Sequence, residues 1–474
     1  MVFTAFFIYF LTCSKRYFAI FSIAMTKDLT EGRPLSLILG FSVPALFGYI
    51  FQQFYNVVDT VIVGKCLGVE ALASVGSTGA VNFLIIGFVM GICSGFSIPV
   101  AQKFGAKEYV SMRQLTANAE MLAGGIAVIM TVATVVFCKP LLVLMLTPSD
   151  IIDGAVEYIR VIFIGIPLIF LYNMTAGIIR AVGDSRTPVV FLVISSFLNI
   201  GLDLLFILSF HMGVGGAAWA TVLSQGISGA ACLVYMKKKF PILSLSKKDR
   251  RLEMHHCITL CGVGVPMGLQ YSITAIGSVI LQSSVNFLGS TAVASVTAGE
   301  KIRSFFCTPF DALGITMATY GGQNAGAGKF DRLKSGVLVS TVIGFIYSAA
   351  AVLILYFFGN TLCTLFVDPS ETEIIRQAHL MTVISSLFFF SLTIVNIFRF
   401  MIQGMGFSGF AILSGLFEMI ARTAIAIFAV PAFGFTAVCF ASPAAWILAD
   451  FFLIPAFFHC LKQLIAWEKA HTIR

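Results

Sequence analysis

The sequence predicts an all-α integral membrane protein: twelve transmembrane helices in two pseudo-symmetric six-helix bundles. Composition is the first reason. Charged residues make up 11% of the 474 and hydrophobic residues 58%, against roughly 25% charged in an ordinary globular chain. Recurrence is the second, because apolar stretches of about 20 residues or more follow one another, each long enough to cross a ~30 Å hydrocarbon core as a helix. The third is duplication. Residues 67–75, Leu-Gly-Val-Glu-Ala-Leu-Ala-Ser-Val, return 221 positions later as Leu-Gly-Ser-Thr-Ala-Val-Ala-Ser-Val at 288–296. The same offset carries Gln102, Gly105 and Ala106 onto Gln323, Gly326 and Ala327, and Gly213 and Ala220 onto Gly434 and Ala441. An offset of 223 carries Gly183 and Ser185 onto Gly406 and Ser408. Self-similarity outranks any local motif as a statement about architecture. In a membrane protein it points to a transporter whose halves enclose a substrate path.

The elements follow in order. Residues 1–32 read as an N-terminal extension and cytoplasmic tail. Met1 to Ala24 is apolar and Phe-rich, broken by Lys15 and Arg16, and lacks a clear small-x-small cleavage site. The polar run from Met25 makes that residue the preferred start over Met1. The first lobe, 33–236, holds spans at 35–62, 76–101, 115–138, 155–178, 188–210 and 214–236. Residues 237–254 form a basic cytoplasmic linker containing Lys237, Lys238, Lys239, Lys247, Lys248, Arg250 and Arg251. The second lobe, 255–462, holds spans at 256–284, 295–320, 336–358, 376–402, 410–431 and 437–461, and 463–474 is a tail. Basic residues gather in the even-to-odd loops (Lys103, Lys107, Arg113, Arg180, Arg186, Lys329, Arg332, Lys334, Arg399). The positive-inside rule therefore puts both termini and the linker in the cytoplasm. Six spans per repeat is an even number, so both halves enter with one orientation and their symmetry axis runs along the membrane normal. The Gln-x-x-Gly-Ala turns read as caps in which glycine supplies unusual backbone angles.

Several function classes fall away. The net charge of +8 sits in short loops between apolar spans, so nucleic acid is not an expected partner. Eleven cysteines are scattered singly and read as small apolar residues, Cys257 and Cys261 included. Gly404-Met-Gly-Phe-Ser-Gly409 fits G-x-G-x-x-G but has no strand before it, and the glycine-rich 321–329 lacks P-loop spacing. Asn173-Met-Thr175 is a glycosylation sequon inside a predicted helix, where it goes unused. Enzyme chemistry has no support.

Other residues carry a resemblance. In the first half they are Pro44, Gln53, Asn56, Asp59, Val63-Gly64, Leu67-Gly68, Ala71-Leu-Ala73, Gln102-x-x-Gly105-Ala106, Arg180-Ala-x-Gly183-Asp184 and Pro188. In the second they are Gly264-x-Pro266, Lys301-Ile302, Pro309, Gly322-Gln-Asn-x-Gly-Ala327 and Gln403-Gly-x-Gly406. In this order and spacing the chain resembles the multidrug and toxic compound extrusion (MATE) family of secondary antiporters, in its DinF-like branch. The resemblance covers Arg33 to about Leu461. It implies two bundles forming a V around a central cavity in a multi-pass protein of the plasma (inner) membrane, and a monomer is the default expectation. It implies export of amphipathic, cationic organic compounds by alternating access, coupled to H⁺ or Na⁺, with no cofactor. The partners would be such small molecules and the lipid bilayer.

Buried charge is where mechanism is sought, because a carboxylate at mid-membrane costs several kcal/mol and persists when it lines water, pairs or binds an ion. Asp59 lies toward the outer part of the first span, with Asn56 about one turn away. Asn199 and Asp203 are four apart and share a helix face, and Thr221 follows in the sixth span. Two carboxylates with neutral oxygens suit a proton carrier, since proximity raises one carboxylate's pKa; they equally suit an oxygen cage for Na⁺ at Asp59, Asn199 and Asp203. The resemblance implies that Asp59, Asn199, Asp203 and Thr221 are the coupling set. The repeat breaks there: Asp59 falls opposite Leu281 or Gln282, and Asp203 near Ala426. The second lobe offers Glu300, Lys301, Arg303, Asp311 and the i,i+4 pair Glu418–Arg422, read as a structural salt bridge. Gln52, Asn56, Asn173, Gln270, Gln282, Lys301 and Asp311 are the candidate cavity residues, with Met267 beside them. The rival readings are a lipid-linked oligosaccharide flippase, expected to have a more cationic cavity and extra spans, and a non-transporting membrane scaffold.

Overall fold

The computed structural model describes residues 27–145 and 147–472; the choice between Met1 and Met25 lies outside them. Every regular element among the described residues is helical. The first half contains α1 (Pro34–Leu67), α2 (Val69–Ser77), α3 (Gly79–Gly105), α4 (Tyr109–Leu144), α5 (Ile152–Ile164), α6 (Ile166–Ala181), α7 (Arg186–Leu204) and α8 (Gly213–Lys239). The second contains α9 (Met254–Phe287), α10 (Ser290–Gly326), α11 (Phe330–Cys363), α12 (Thr372–Leu387), α13 (Phe389–Gly404), α14 (Ser408–Ala424), α15 (Val430–Phe433) and α16 (Phe435–Thr472). Nine stretches among the described residues are long and apolar enough to cross a membrane. Two more spans are the bent pairs α5–α6 and α12–α13, at 48° and 53°. Helix α10 has 37 residues but is more polar, carrying Glu300, Lys301, Arg303 and Asp311, and is not apolar enough to count among these stretches.

The duplication is written into the backbone. Left-handed φ angles recur in pairs: Gly68 and Gly289 at 89° and 94°, Gly183 and Gly406 at 90° and 93°, Gly213 and Gly434 both at 60°. A π-helical turn follows the fifth span at Leu205–Ser209 and the eleventh at Ile425–Ala429. Each half has its own apolar core, one around Phe96, Phe163 and Ile178 and the other around Phe310, Phe389 and Phe457. Leu37, Ile38 and Phe41, at the start of α1, pack into the second half's core and so cross between the lobes.

The halves meet where α3 packs on α9, and α10 on α1 and α3. Gly91 and Gly95 face Gly268 and Gly264, and a Cβ on Gly91 would stand 2.6 Å from the Cα of Gly268. Small residues four apart on both helices permit this close backbone approach, which hydrocarbon surroundings favour. At one end the turns after α3 and α10 interlock: a Cβ on Gly105 would overlap the Gln323 carbonyl, and one on Gly326 the Gln102 carbonyl. Neither glycine has positive φ. The sequence expectation of unusual angles is thus corrected here; what these turns need is the missing side chain.

Residues 27–33 strap the same end. Lys27 N–H donates to Val182 O (3.2 Å) of the first half. Leu29, fully buried, donates its N–H to Gln323 Oε1 (2.8 Å), and Arg332 donates to the carbonyls of Gly32 and Leu29 (2.9 and 3.2 Å) in the second. The opposite end is open: residues 49–62 of α1 all keep accessible surface, whereas residues 316–324 of α10, at the strapped end, are all buried.

Candidate functional site

The first lobe gathers its polar residues from three helices. Helix α7 projects Asn199 and Asp203 from one face, 1% and 0% exposed. Asp203 stands just before the π-helical turn, an irregularity that often marks functional positions. From α8, Thr221 Oγ1 accepts a hydrogen bond from Asn199 Nδ2 at 3.3 Å and lies 3.3 Å from the Tyr55 hydroxyl of α1. One turn further along α1, the Asp59 carboxyl lies against that of Asp203. Tyr158 of α5 is within electrostatic reach of both acids. Four buried oxygens here have no hydrogen-bond partner: Asp59 Oδ1, Asn199 Oδ1 and both oxygens of Asp203. Leaving such acceptors unsatisfied is costly. Two adjacent carboxylates cannot both stay charged in a poorly solvated site without a compensating proton or cation. Carboxylate, amide and hydroxyl oxygens are also the ligands a hard cation takes, so the set fits either ion.

The residues named for the cavity are dispersed. Gln52 is half-buried and Asn56 exposed on the open half of α1. Asn173 donates to Ile169 O of its own helix at 2.9 Å. Gln270 is 4% exposed and accepts from Gln403 Nε2 at 2.7 Å, so it packs inside the second lobe. Gln282 is exposed and bonds Asn286 one turn on. Lys301 is exposed on α10. Asp311 keeps accessible surface although protein surrounds it, which puts it on the cleft between lobes. Tyr49 and Tyr271 lie within electrostatic reach of Asp311 and of Arg180. Toward the strapped end the cleft narrows to a cavity of about 20 Å³, lined by Ser97, Arg180, Met267, Thr319 and Phe400 among others.

The second lobe holds a charge network that sequence reasoning resolved only in part. Glu418 pairs with Arg422 on its own helix at 3.2 Å and also with Arg399 of α13. The sequence reading counted Arg399 as a loop residue. It is 8% exposed inside α13, so that assignment is corrected: its guanidinium is satisfied by Glu418 and Ser414, not by water. Arg303 pairs with Glu300 and donates to Ser442 at 3.0 Å. Asp450 of α16, 9% exposed, was missed; the usable signal was that it is the sole carboxylate in an apolar run of over twenty residues.

Comparison with known proteins places this geometry. A model of the MatE family matches residues 44–205 and 266–428, once per half. The "Probable multidrug resistance protein YoeA" of Bacillus subtilis (strain 168) is 31% identical over 365 residues, covering 76% of this chain and 78% of that one. "Probable multidrug resistance protein YpnP" of the same organism is 28% identical, covering 74% and 79%. A solved structure described as the "outward-facing conformation of a multidrug resistance MATE family transporter of the MOP superfamily" superposes with a TM-score of 0.86 at 24% identity, over 92% of this chain and 98% of that one.

Proposed function

This chain belongs to the MATE family of membrane transporters, and we propose on that premise that it exports amphipathic organic cations by alternating access, driven by inward movement of H⁺ or Na⁺. The multidrug names of its relatives support the export of small molecules. The observation that carries the coupling reading is the buried Asp59–Asp203 pair with its unpartnered oxygens. With the strapped, basic end in the cytoplasm, the closed turns and open outer halves describe an outward-facing state. A cation entering between Asp59 and Asp203 removes their repulsion and draws α1 onto α7. That repacking narrows the first lobe's side of the cleft and favours release of the organic cation outward. Coupling requires the two ligands to favour different states. Asp311 and the tyrosines Tyr49 and Tyr271 suit the organic cation through charge and ring faces. An enzyme this is not: the polar groups here are arranged to hold and release ions.

The test is ethidium efflux from cells with Na⁺ and H⁺ gradients imposed separately. Asp203→Asn is expected to abolish gradient-driven efflux while inserting normally, because an amide neither carries the proton nor charges the cage. Normal efflux from that variant would sink the assignment.

A further inference from the structure

A groove of about 430 Å³ runs along the outer surface of the second lobe between α13 and α16, away from the cleft. Its walls are apolar: Ile394 on one side, and Ile447, Phe451 and Ile454 on the other. Phe451 is 76% exposed, so the groove opens sideways toward the bilayer. At its floor lies Asp450. One oxygen, Oδ2, accepts from Ser391 Oγ at 2.5 Å; the other, Oδ1, is buried and has no partner. Asp450 is 15 residues into α16 from Phe435, some ~22 Å along a helix rising 1.5 Å per residue, which is beyond the reach of lipid headgroups. Pro455, one turn on, lacks the N–H that would bond the Phe451 carbonyl and so frees a second acceptor near the same wall. Behind Asp450 stands the Arg399–Glu418–Arg422 triad, two guanidiniums to one carboxylate. Its surplus positive charge is balanced by a carboxylate at Asp450, within electrostatic reach of Arg399 and Glu418. That charge balance still leaves Oδ1 without a donor, and a buried acceptor that no donor meets is costly until an N–H from the groove side supplies one.

We propose that the α13–α16 groove is a lateral binding site for membrane-dissolved organic ammonium ions, the ammonium on Asp450 Oδ1 and the hydrocarbon body along Ile447, Phe451 and Ile454. An apolar slot with one buried charge at its base matches such an amphiphile in shape and sign. A lipid acyl chain would fill the slot but leave Oδ1 bare. The site is separate from Asp59 and Asp203, so its test does not depend on transport.

The full chain in phosphatidylcholine nanodiscs is photolabelled with a diazirine-bearing dodecylamine and, in parallel, with the matched dodecanol. The amine is expected to label peptides from 388–394 and 447–455 at least ~10-fold more than the alcohol, and Asp450→Asn to bring amine labelling down to the alcohol's level. Asp203→Asn is expected to leave labelling unchanged. Equal labelling by the two probes, or undiminished amine labelling in Asp450→Asn, would show an acyl-chain groove and overturn the proposal. Should Asp450→Asn fail to insert, Ile454→Trp fills the groove from the lipid side and must remove amine labelling; labelling that survives it overturns the proposal equally.

Discussion

Single residues here differ most in what surrounds them. Glu418 is held between two guanidiniums and is 3% exposed. Removing its charge takes from both buried guanidiniums the carboxylate they pair with directly, a change worth about 3–5 kcal/mol in comparable buried pairs. Glu418→Gln is therefore expected to lower the thermal midpoint of the detergent-solubilised protein substantially. Glu373→Gln is expected to leave the midpoint unmoved: it breaks the i,i+3 pair with Arg376 (2.8 Å), whose side chains are 50% and 75% exposed, and exposed pairs contribute little. An equal loss from both variants would show that the triad is not the buried brace its geometry describes. Asp203 and Asp59 stand at the opposite extreme. Three of their four oxygens are buried without a partner, so their neutralisation is expected to cost coupling rather than stability.

Among the elements, the linker between lobes is more ordered than a run of lysines suggests. Ser246 donates its backbone N–H and its hydroxyl to Asp249 Oδ2 at 2.8 and 2.7 Å, and Arg113 Nε stands 3.5 Å away. The Ser246 bonds first, and Arg113 after them, hold the Asp249 carboxyl below its usual range. A depressed folded pKa gives stabilisation that is present above the unfolded value and lost as pH falls through the folded one. With an unfolded value near ~3.9, the linker is expected to resist limited proteolysis from pH 8 down to about 5 and to open only below about 4. Asp249→Asn at pH 7 is expected to reproduce the acid-opened cleavage pattern; cleavage no faster than in the parent would remove the clasp from the account. The π-helical turns at Leu205–Ser209 and Ile425–Ala429 are elements of the other kind, kept in both halves although only the first has an acid beside it.

For the whole molecule, the deciding contact is the crossing of the two Gln-x-x-Gly-Ala turns. Each glycine sits against the other turn's glutamine carbonyl, and Gln323 also bonds Ala181 O at 2.8 Å, while Gln102 bonds Gly404 O at 3.0 Å. A methyl group at either glycine has nowhere to go but into the other lobe. Gly326→Ala is expected to keep the helical content yet open the strapped end. Spin labels on the two turns would move apart by several ångströms, and the balance would shift toward the inward-open state. Unchanged distances would mean the lobes close without this interlock.

The sequence by itself determined an all-helical membrane fold built from a repeated half, because hydrocarbon thickness and a 221-residue repeat leave little freedom. It also drew attention to Asp59, Asn199 and Asp203, while Thr221 joined the candidate set through the family resemblance. Acids are conspicuous in apolar spans, and a separation of four residues puts side chains on one helix face. Tertiary structure decided what touches what across helices. Arg399 read as a loop charge because its apolar span, 376–402, ends three residues later, and only packing against α14 gave it Glu418. Gln270 read as a cavity amide, and only the neighbouring α13 turned it toward Gln403. Residues 27–32 read as tail, and only the closed ends of both lobes made a seat for Leu29. The physical reason is common to all three. Insertion into a bilayer depends on each segment's own composition, whereas pairing a buried charge or amide depends on a partner that the chain supplies from a distant segment.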